Sequence, residues 1–255
     1  MTMTIENYEG TADKFTWPNN PTKFDAASIN NFDVYEYPLS NLTIMEGSGG
    51  IRPRTIILAG EFHGSSKITY YRSMAKHFRE TTKLKKLVWE SGKFYLGLGK
   101  SVKQTNVGGR TNFIDYVVSF QTLIGLLWST TQKTSGTNEG NATTYVEQIT
   151  GTVNNGAVDV TFADNHGTTR TIAAADLATG DVLTYYFVYM ADQGGGVYMT
   201  NYHYINRLRS GVNTQITSEK IGDGRLKIDA AENVSTITPT NLTASSIKFR
   251  DAWYE

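Results

Sequence analysis

Arg52-Pro53-Arg54-Thr55-Ile56-Ile57-Leu58-Ala59-Gly60-Glu61-Phe62-His63-Gly64 opens the most informative segment of this chain of 255 residues. Arg54 to Phe62 is β-rich and reads as a strand, and Gly60-x-x-x-Gly64 ends it in a corner. Ser65 or Ser66 is placed to cap a short helix from Lys67 to about Lys83. Ile68, Tyr71, Met74, Ala75 and Phe78 recur at spacings of three and four, so they share one stripe. Lys67, Arg72, Lys76, Arg79 and Glu80 fall on the opposite side. At 1.5 Å per residue the helix is about 20–25 Å long, which suits covering one mouth of a barrel. Lys86 to Glu90 and Lys93 to Leu98 then read as a hairpin around Ser91-Gly92.

Upstream, Pro18, Asn19, Asn20 and Pro21 interrupt residues 1–31, which read as a polar N-terminal arm. Phe32 to Pro38 and Leu42 to Glu46 are short strand candidates before a turn at Ser48-Gly49-Gly50. Downstream, a Gly-rich stretch from Gly97 to Gly109 precedes a strand from Phe113 to Phe120. Its even positions Ile114, Tyr116, Val118 and Phe120 face one way, with Asp115 and Ser119 on the other side. The apolar run reaches Trp128. Ser129 to Asn141 is poor in anything to bury, so a linker is expected at 131–141, between a domain at 32–130 and another at 142–255.

The second half is β throughout. Asn154-Asn155-Gly156 predicts a hairpin between Thr144–Thr150 and Ala157–Phe162, and Asn165-His166-Gly167 predicts another turn before Thr169 to Ala173. Val182 to Met190 is expected to pair with Val197 to Ile205 in the longest hairpin. Arg225 to Asp229, Val234 to Thr238 and Ile247 to Trp253 complete the strands. Spacing of this kind predicts a sandwich or barrel.

Composition is that of a globular chain, 39% hydrophobic and 12% aromatic. Lys plus Arg and Asp plus Glu both number 24, so net charge gives no reason to expect a nucleic-acid or membrane partner. No run is long and apolar enough to span a membrane. Cysteine is absent, which excludes disulfides and thiolate metal sites. Charge is segregated along the chain nonetheless. Lys67 to Arg110 holds eleven Lys or Arg against Glu80 and Glu90, a local balance of plus nine. Residues 1–66 carry minus four and residues 111–255 minus five.

Candidate chemistry is sparse. His63, His77, His166 and His203 show no metal-ligand spacing, and His63 reads as a corner residue bonded to backbone. Gly194-Gly195-Gly196 and Gly97-x-Gly99 read as hairpin connections because no helix carrying Lys-Ser/Thr follows either. Glu147 with Asp159, or Asp223 with Asp229, could be drawn as glycosidase acid/base pairs, but any chain of this length offers such pairs. Tyr185, Tyr186, Tyr189, Tyr198, Tyr202 and Tyr204 could stack on sugars or anchor an interface, while core filling accounts for at least three. No cofactor or catalytic residue is expected.

Element order and Gly placement over residues 32 to about 128 resemble the N-terminal domain of distal tail proteins, the baseplate hub of long-tailed phages and related archaeal viruses. The residues carrying this are Phe15-Thr16-Trp17-Pro18, the opening segment from Pro53 to Gly64, the helix, Leu87-Val88-Trp89-Glu90, and Phe113-Ile114-Asp115-Tyr116-Val117-Val118-Ser119-Phe120. The resemblance implies a mainly β fold with one short helix: an N-terminal split β-barrel like tail-tube and hub proteins, then a β-sandwich-like C-terminal domain. It implies a structural, non-enzymatic virion protein at the distal end of the tail, made in the host cytoplasm. Six copies would ring a lumen through which DNA passes without specific binding. The partners implied are the tail-tube protein, the tail hub or tape-measure protein, and receptor-binding or fibre proteins. Trp17, Arg72, Lys76, Lys100, Lys103, Arg110, Tyr198 and Tyr202 are the residues expected at the contacts between copies. A tail-tube or adaptor subunit, a carbohydrate-binding adhesion module and a tail-associated glycosidase remain alternatives.

Overall fold

The computed structural model describes residues 2–8, 13–25, 54–81, 83–90, 92–105, 112–134, 139–192, 197–219, 226–229 and 237–254. The expected strands at 32–38 and 42–46 and the turn at 48–50 lie outside them. Two compact units form, the first from residues 1–32, 51–130 and 253–255, the second from 33–50 and 131–252. The fold is mainly β with one α-helix among the described residues, as the sequence predicts.

The first unit holds β1 (Thr4–Asn7), β2 (Lys14–Thr16), β3 (Lys23–Asp25), β4 (Thr55–His63), α1 (Lys67–Arg79), β5 (Lys85–Glu90), β6 (Lys93–Gln104) and β7 (Phe113–Ser129). Residues 2–8 and 13–25 are therefore not an arm. Met3, Ile5, Phe15 and Trp17 are buried in the same core as Phe62, Phe78 and Phe120, because apolar residues alternate through these short strands. The antiparallel order is β3-β4-β7-β6-β5-β1-β2.

This sheet is rolled. A flat one would hold β3 and β5 four spacings, about 19 Å, apart. Instead Phe24 on β3 stacks on Trp89 of β5 with ring centroids 3.6 Å apart. Phe15 on β2 likewise meets Phe62 on β4 at 6.1 Å. Among the described residues no ladder joins β2 to β3 or β4, so the roll is split rather than closed.

Helix α1 lies on the inner face, where Met74 and Phe78 pack among the inward residues of β4 and β7. Its apolar stripe starts later than the spacing predicts, since Ile68 is 49% exposed and His77 is buried with Met74, Ala75 and Phe78. Ser66 takes the N-cap position without a side-chain cap bond, and the helix ends four residues before Lys83. The corner after β4 is made at Gly64, whose φ of 75° favours glycine. Gly60 lies within the strand, where the Tyr116 hydroxyl fills the space of a side chain.

Gly97-x-Gly99 is not a hairpin connection either, because β6 runs on to Gln104. A Cβ on Gly99 would sit 2.3 Å from the Phe78 Cα, so this glycine lets the last helical turn rest on the strand backbone.

The second unit holds β8 (Thr143–Val153), β9 (Val160–Asp164), β10 (Thr169–Ile172), β11 (Val182–Asp192), β12 (Val197–Arg209), β13 (Val212–Glu219), β14 (Lys227–Asp229), β15 (Ile237–Pro239) and β16 (Leu242–Tyr254), the end of which belongs to the first unit. One sheet is ordered β13-β12-β11-β8-β16 with β14 beside β12, and a small sheet is ordered β10-β9-β15. The two face each other, with Phe162 edge-on to Tyr185 at 4.8 Å.

The β11–β12 hairpin forms as predicted, from Val182↔Leu208 to Asp192↔Tyr198. Asn154-Asn155-Gly156 does not join a hairpin: β8 pairs with β11 and β16, β9 with β10 and β15, so the chain changes sheets there. Residues 131–134 are not free linker. Lys133 bridges Phe249 through backbone bonds and its ammonium pairs with Asp251.

Replacing Gly99 with alanine should cost about 2–3 kcal/mol, because the new methyl meets backbone rather than a movable side chain. Chemical denaturation checks this, and a loss below about 0.5 kcal/mol would mean that the helix end shifts freely.

Candidate intersubunit surfaces

The eight expected contact residues divide sharply. Trp17 is fully buried, 4.9 Å from Phe15 and 6.3 Å from Phe78 between ring centroids, so it belongs to the core and not to a surface. Arg72 is exposed on α1 and Lys103 on β6. Lys76 is exposed, but its Nζ donates to both carboxylate oxygens of Asp13 at 3.0 and 2.9 Å. Lys100 is exposed and donates to Gln121 Oε1 at 3.4 Å. Tyr198 and Tyr202 lie on β12, paired in register with Asp192 and Tyr189. Arg110 lies outside the described residues.

The positive balance of residues 67–110 is partly spent inside the molecule. Lys85 is fully buried and donates to Asn7 and Glu80. Lys83 lies 3.3 Å from Glu80, and Lys86 lies 3.9 Å from Glu6 and over the Tyr8 ring. The β1–β2 segment thus brings its acids to the cations of α1 and β5. The Lys85 ammonium holds Glu80 below the usual carboxylate range, and Lys76 does the same for Asp13. Among the described residues Arg72 and Arg79 meet no carboxylate.

Sequence reasoning missed the outer face of the first sheet. Inward residues alternate with Ile57, Ala59 and Glu61 on β4, and with Asp115 and Val117 on β7, all half-buried. Register places Ala59 opposite Val117 and Glu61 opposite Asp115. Two carboxylates directly opposed across an antiparallel pair repel. Glu61 Oε1 lies 3.2 Å from His63 Nε2, so His63 meets a side chain and the Phe113 ring rather than backbone.

The other suggested groups have structural partners where they are described, and Asp223 lies outside the described residues. Glu147 accepts from Arg250 Nε at 2.7 Å in a buried pair, whereas Asp159 accepts from the Ala174 backbone N–H at 2.8 Å. Tyr185 and Tyr204 are buried, and half-buried Tyr186 stacks on Tyr204 at 4.7 Å. Among the described residues no three His, Asp or Glu side chains gather as a metal site. No helix there is long and apolar enough to cross a membrane.

No protein-family model matches this sequence, and no curated protein does. Among solved structures the chain is similar to the Dit protein (gp 19.1) of phage SPP1, described as a paradigm of the hub adsorption apparatus in phages infecting Gram-positive bacteria. Identity is 13% over 99% of this chain and 100% of that one, with a TM-score of 0.37. It is also similar to chains of the phage P2 baseplate in its activated conformation. The calcium form gives 10% identity, 98% and 97% coverage and a TM-score of 0.39. The strontium form gives 10%, 100% and 98%, and 0.40. A TM-score below 0.5 leaves residue roles to be argued from this chain alone.

Two outcomes test the polar interior. Arg250→Met should cost about 3–5 kcal/mol by stranding the buried Glu147 carboxylate, read by thermal or chemical unfolding. His77 is 2% exposed, its Nδ1 has no partner, and burial holds its pKa below that of a free histidine despite nearby Asp13. The unfolded chain takes up that proton near pH 6.5 and the fold resists it, so stability falls as pH drops below about 6.5. His77→Gln should flatten the fall between pH 7 and 5. Parallel curves for the two proteins would exclude His77 as its source.

Proposed function

We propose that this chain is a structural subunit of the tail tip of a long-tailed virus. Six copies close into a ring that joins the tail tube to the baseplate and receptor-binding apparatus. DNA passes through the lumen without sequence-specific contacts.

The observation that carries this reading is the rolled but split sheet of the first unit, reached through the strand–corner–helix–strand order of residues 54–90. Among the described residues its margins have no further strand partner. Among the described residues β2 pairs only with β1, β3 only with β4, and β6 beyond Gly97 only with β7. Open strand edges are a liability in a free monomer, whereas a closed ring of copies covers them with neighbouring chains. In this reading the second unit, a two-sheet β body of its own, carries the attachment proteins.

Negative-stain or cryogenic electron microscopy of the purified full chain, with and without the tube protein, tests the reading. The expected image is a closed ring with a central passage, with a mass by light scattering six times that of the 28.3 kDa chain. Solitary particles of single-chain mass at every concentration, even beside the tube protein, would overturn it.

A further inference from the structure

Two features of the first unit share one explanation. On α1, Ile68, Arg72 and Arg79 lie along one exposed stripe, since Arg72 and Arg79 are seven residues and two turns apart. Ile68 is the most exposed large apolar side chain of the helix, and neither guanidinium meets a carboxylate among the described residues. On the other side of the sheet, Glu61 and Asp115 are directly opposed, and among the described residues the Glu61 carboxylate lies 3.2 Å from the His63 imidazole. Beside them Ile57, Ala59 and Val117 are half-buried, with exposed Lys23 opposite Ala59 and exposed Lys103 opposite Val117 at the margins.

We propose that the exposed face of α1 in one copy docks on the outer β4–β7 face of a second copy, with Ile68 over Ala59 and Val117 and Arg72 bridging Glu61 and Asp115. The proposal rests on the ring reading above and names its contact. Three observations favour a second copy as occupant. Charge is complementary at one row, with cation lacking an acid among the described residues on the helix and the Glu61–Asp115 pair on the sheet, while Lys23 and Lys103 flank the row beside it. Spacing matches: Ile68 to Arg72 rises about 6 Å, and Val117 to Asp115 spans about 7 Å. Placement matches too. The helix lies on the inner face of the sheet and the acid pair on the outer, so the two patches point away from each other. A C2 pair joins one patch to its own copy, whereas a head-to-tail assembly joins two different patches, as here.

The like-charge pair then has a physical role. Opposed carboxylates cost the isolated subunit some stability, which an incoming guanidinium converts into a bidentate bridge. Removing the charges should therefore separate folding from assembly. The Glu61→Gln/Asp115→Asn double variant should unfold at the same or a higher temperature than wild type, yet self-associate at least about tenfold more weakly in sedimentation velocity. Arg72→Glu/Arg79→Glu should weaken self-association similarly. Mixing it with a Glu61→Arg/Asp115→Arg chain should restore mixed assembly, because each supplies the charge that the other lacks.

Normal rings from both the neutralised and the Arg72→Glu/Arg79→Glu proteins would overturn this contact and leave the ring reading standing. A wild-type chain monomeric at all concentrations would overturn both. Arg-dependent binding of duplex DNA with unchanged self-association would assign the helix face to nucleic acid and also overturn the proposal.

Discussion

The first unit depends on one close approach, the last turn of α1 lying directly on the backbone of β6 at Gly99. A side chain there would push Phe78 out of the core that it shares with Trp17 and Phe120. With the helix seated, the sheet must roll around it, since inward residues from β2, β4, β6 and β7 all seek the same apolar centre. The roll brings Phe24 onto Trp89 although four strand spacings separate them along the sheet. Aromatic burial, at roughly 2–3 kcal/mol per ring, favours this curvature more than any single ladder bond could.

That geometry explains which parts of the fold were legible in the sequence. The strand–corner–helix–strand order was readable because its signals are local: the alternation of Arg54 to Phe62, the three-four spacing from Ile68 to Phe78, and the turn at Ser91-Gly92. The β11–β12 hairpin and the inward row Ile114, Tyr116, Val118, Phe120 were legible for the same reason. What failed was whatever depends on distant partners. Residues 2–25 look like a broken polar arm because β1, β2 and β3 are only three or four residues each, and their apolar residues find a core supplied by chain 50 to 100 positions away. Gly97-x-Gly99 looks like a loop until the helix is laid on it. Asn154-Asn155-Gly156 looks like a hairpin turn, yet it changes sheets because β8 has β11 and β16 as neighbours.

The candidate surface divides in the same way. Arg72 and Lys103 are exposed, as the charge of their side chains leads one to expect. Trp17 was misplaced for the reason that lost β2, and Lys76 proved to be tied to Asp13. Glu61 and Asp115 could not have been paired from the sequence, since their opposition is fixed by β4–β7 register across more than fifty residues. The segregation of charge along the chain was also misleading in part. Once β1 and β2 lie against β5 and α1, Glu6 and Asp13 neutralise cations that the sequence counts as free.

What survives this internal neutralisation decides how the subunit can meet others. A uniformly basic helix would attract any anion and give no register. Here the Asp13–Lys76 and Glu80–Lys83 pairs remove charges at one edge, while Arg72 and Arg79 meet no carboxylate among the described residues. Arginine suits a site where two carboxylates must be bridged at once, because its planar donor fork binds both, whereas an ammonium acts as a point charge. On the sheet, the opposed acids leave the monomer mildly frustrated at one spot beside an apolar patch. A surface with an apolar centre, one unsettled charge pair and its complement on the reverse side has a direction. Directional contacts of that kind close into a ring where the rotation permits and extend as a filament where it does not.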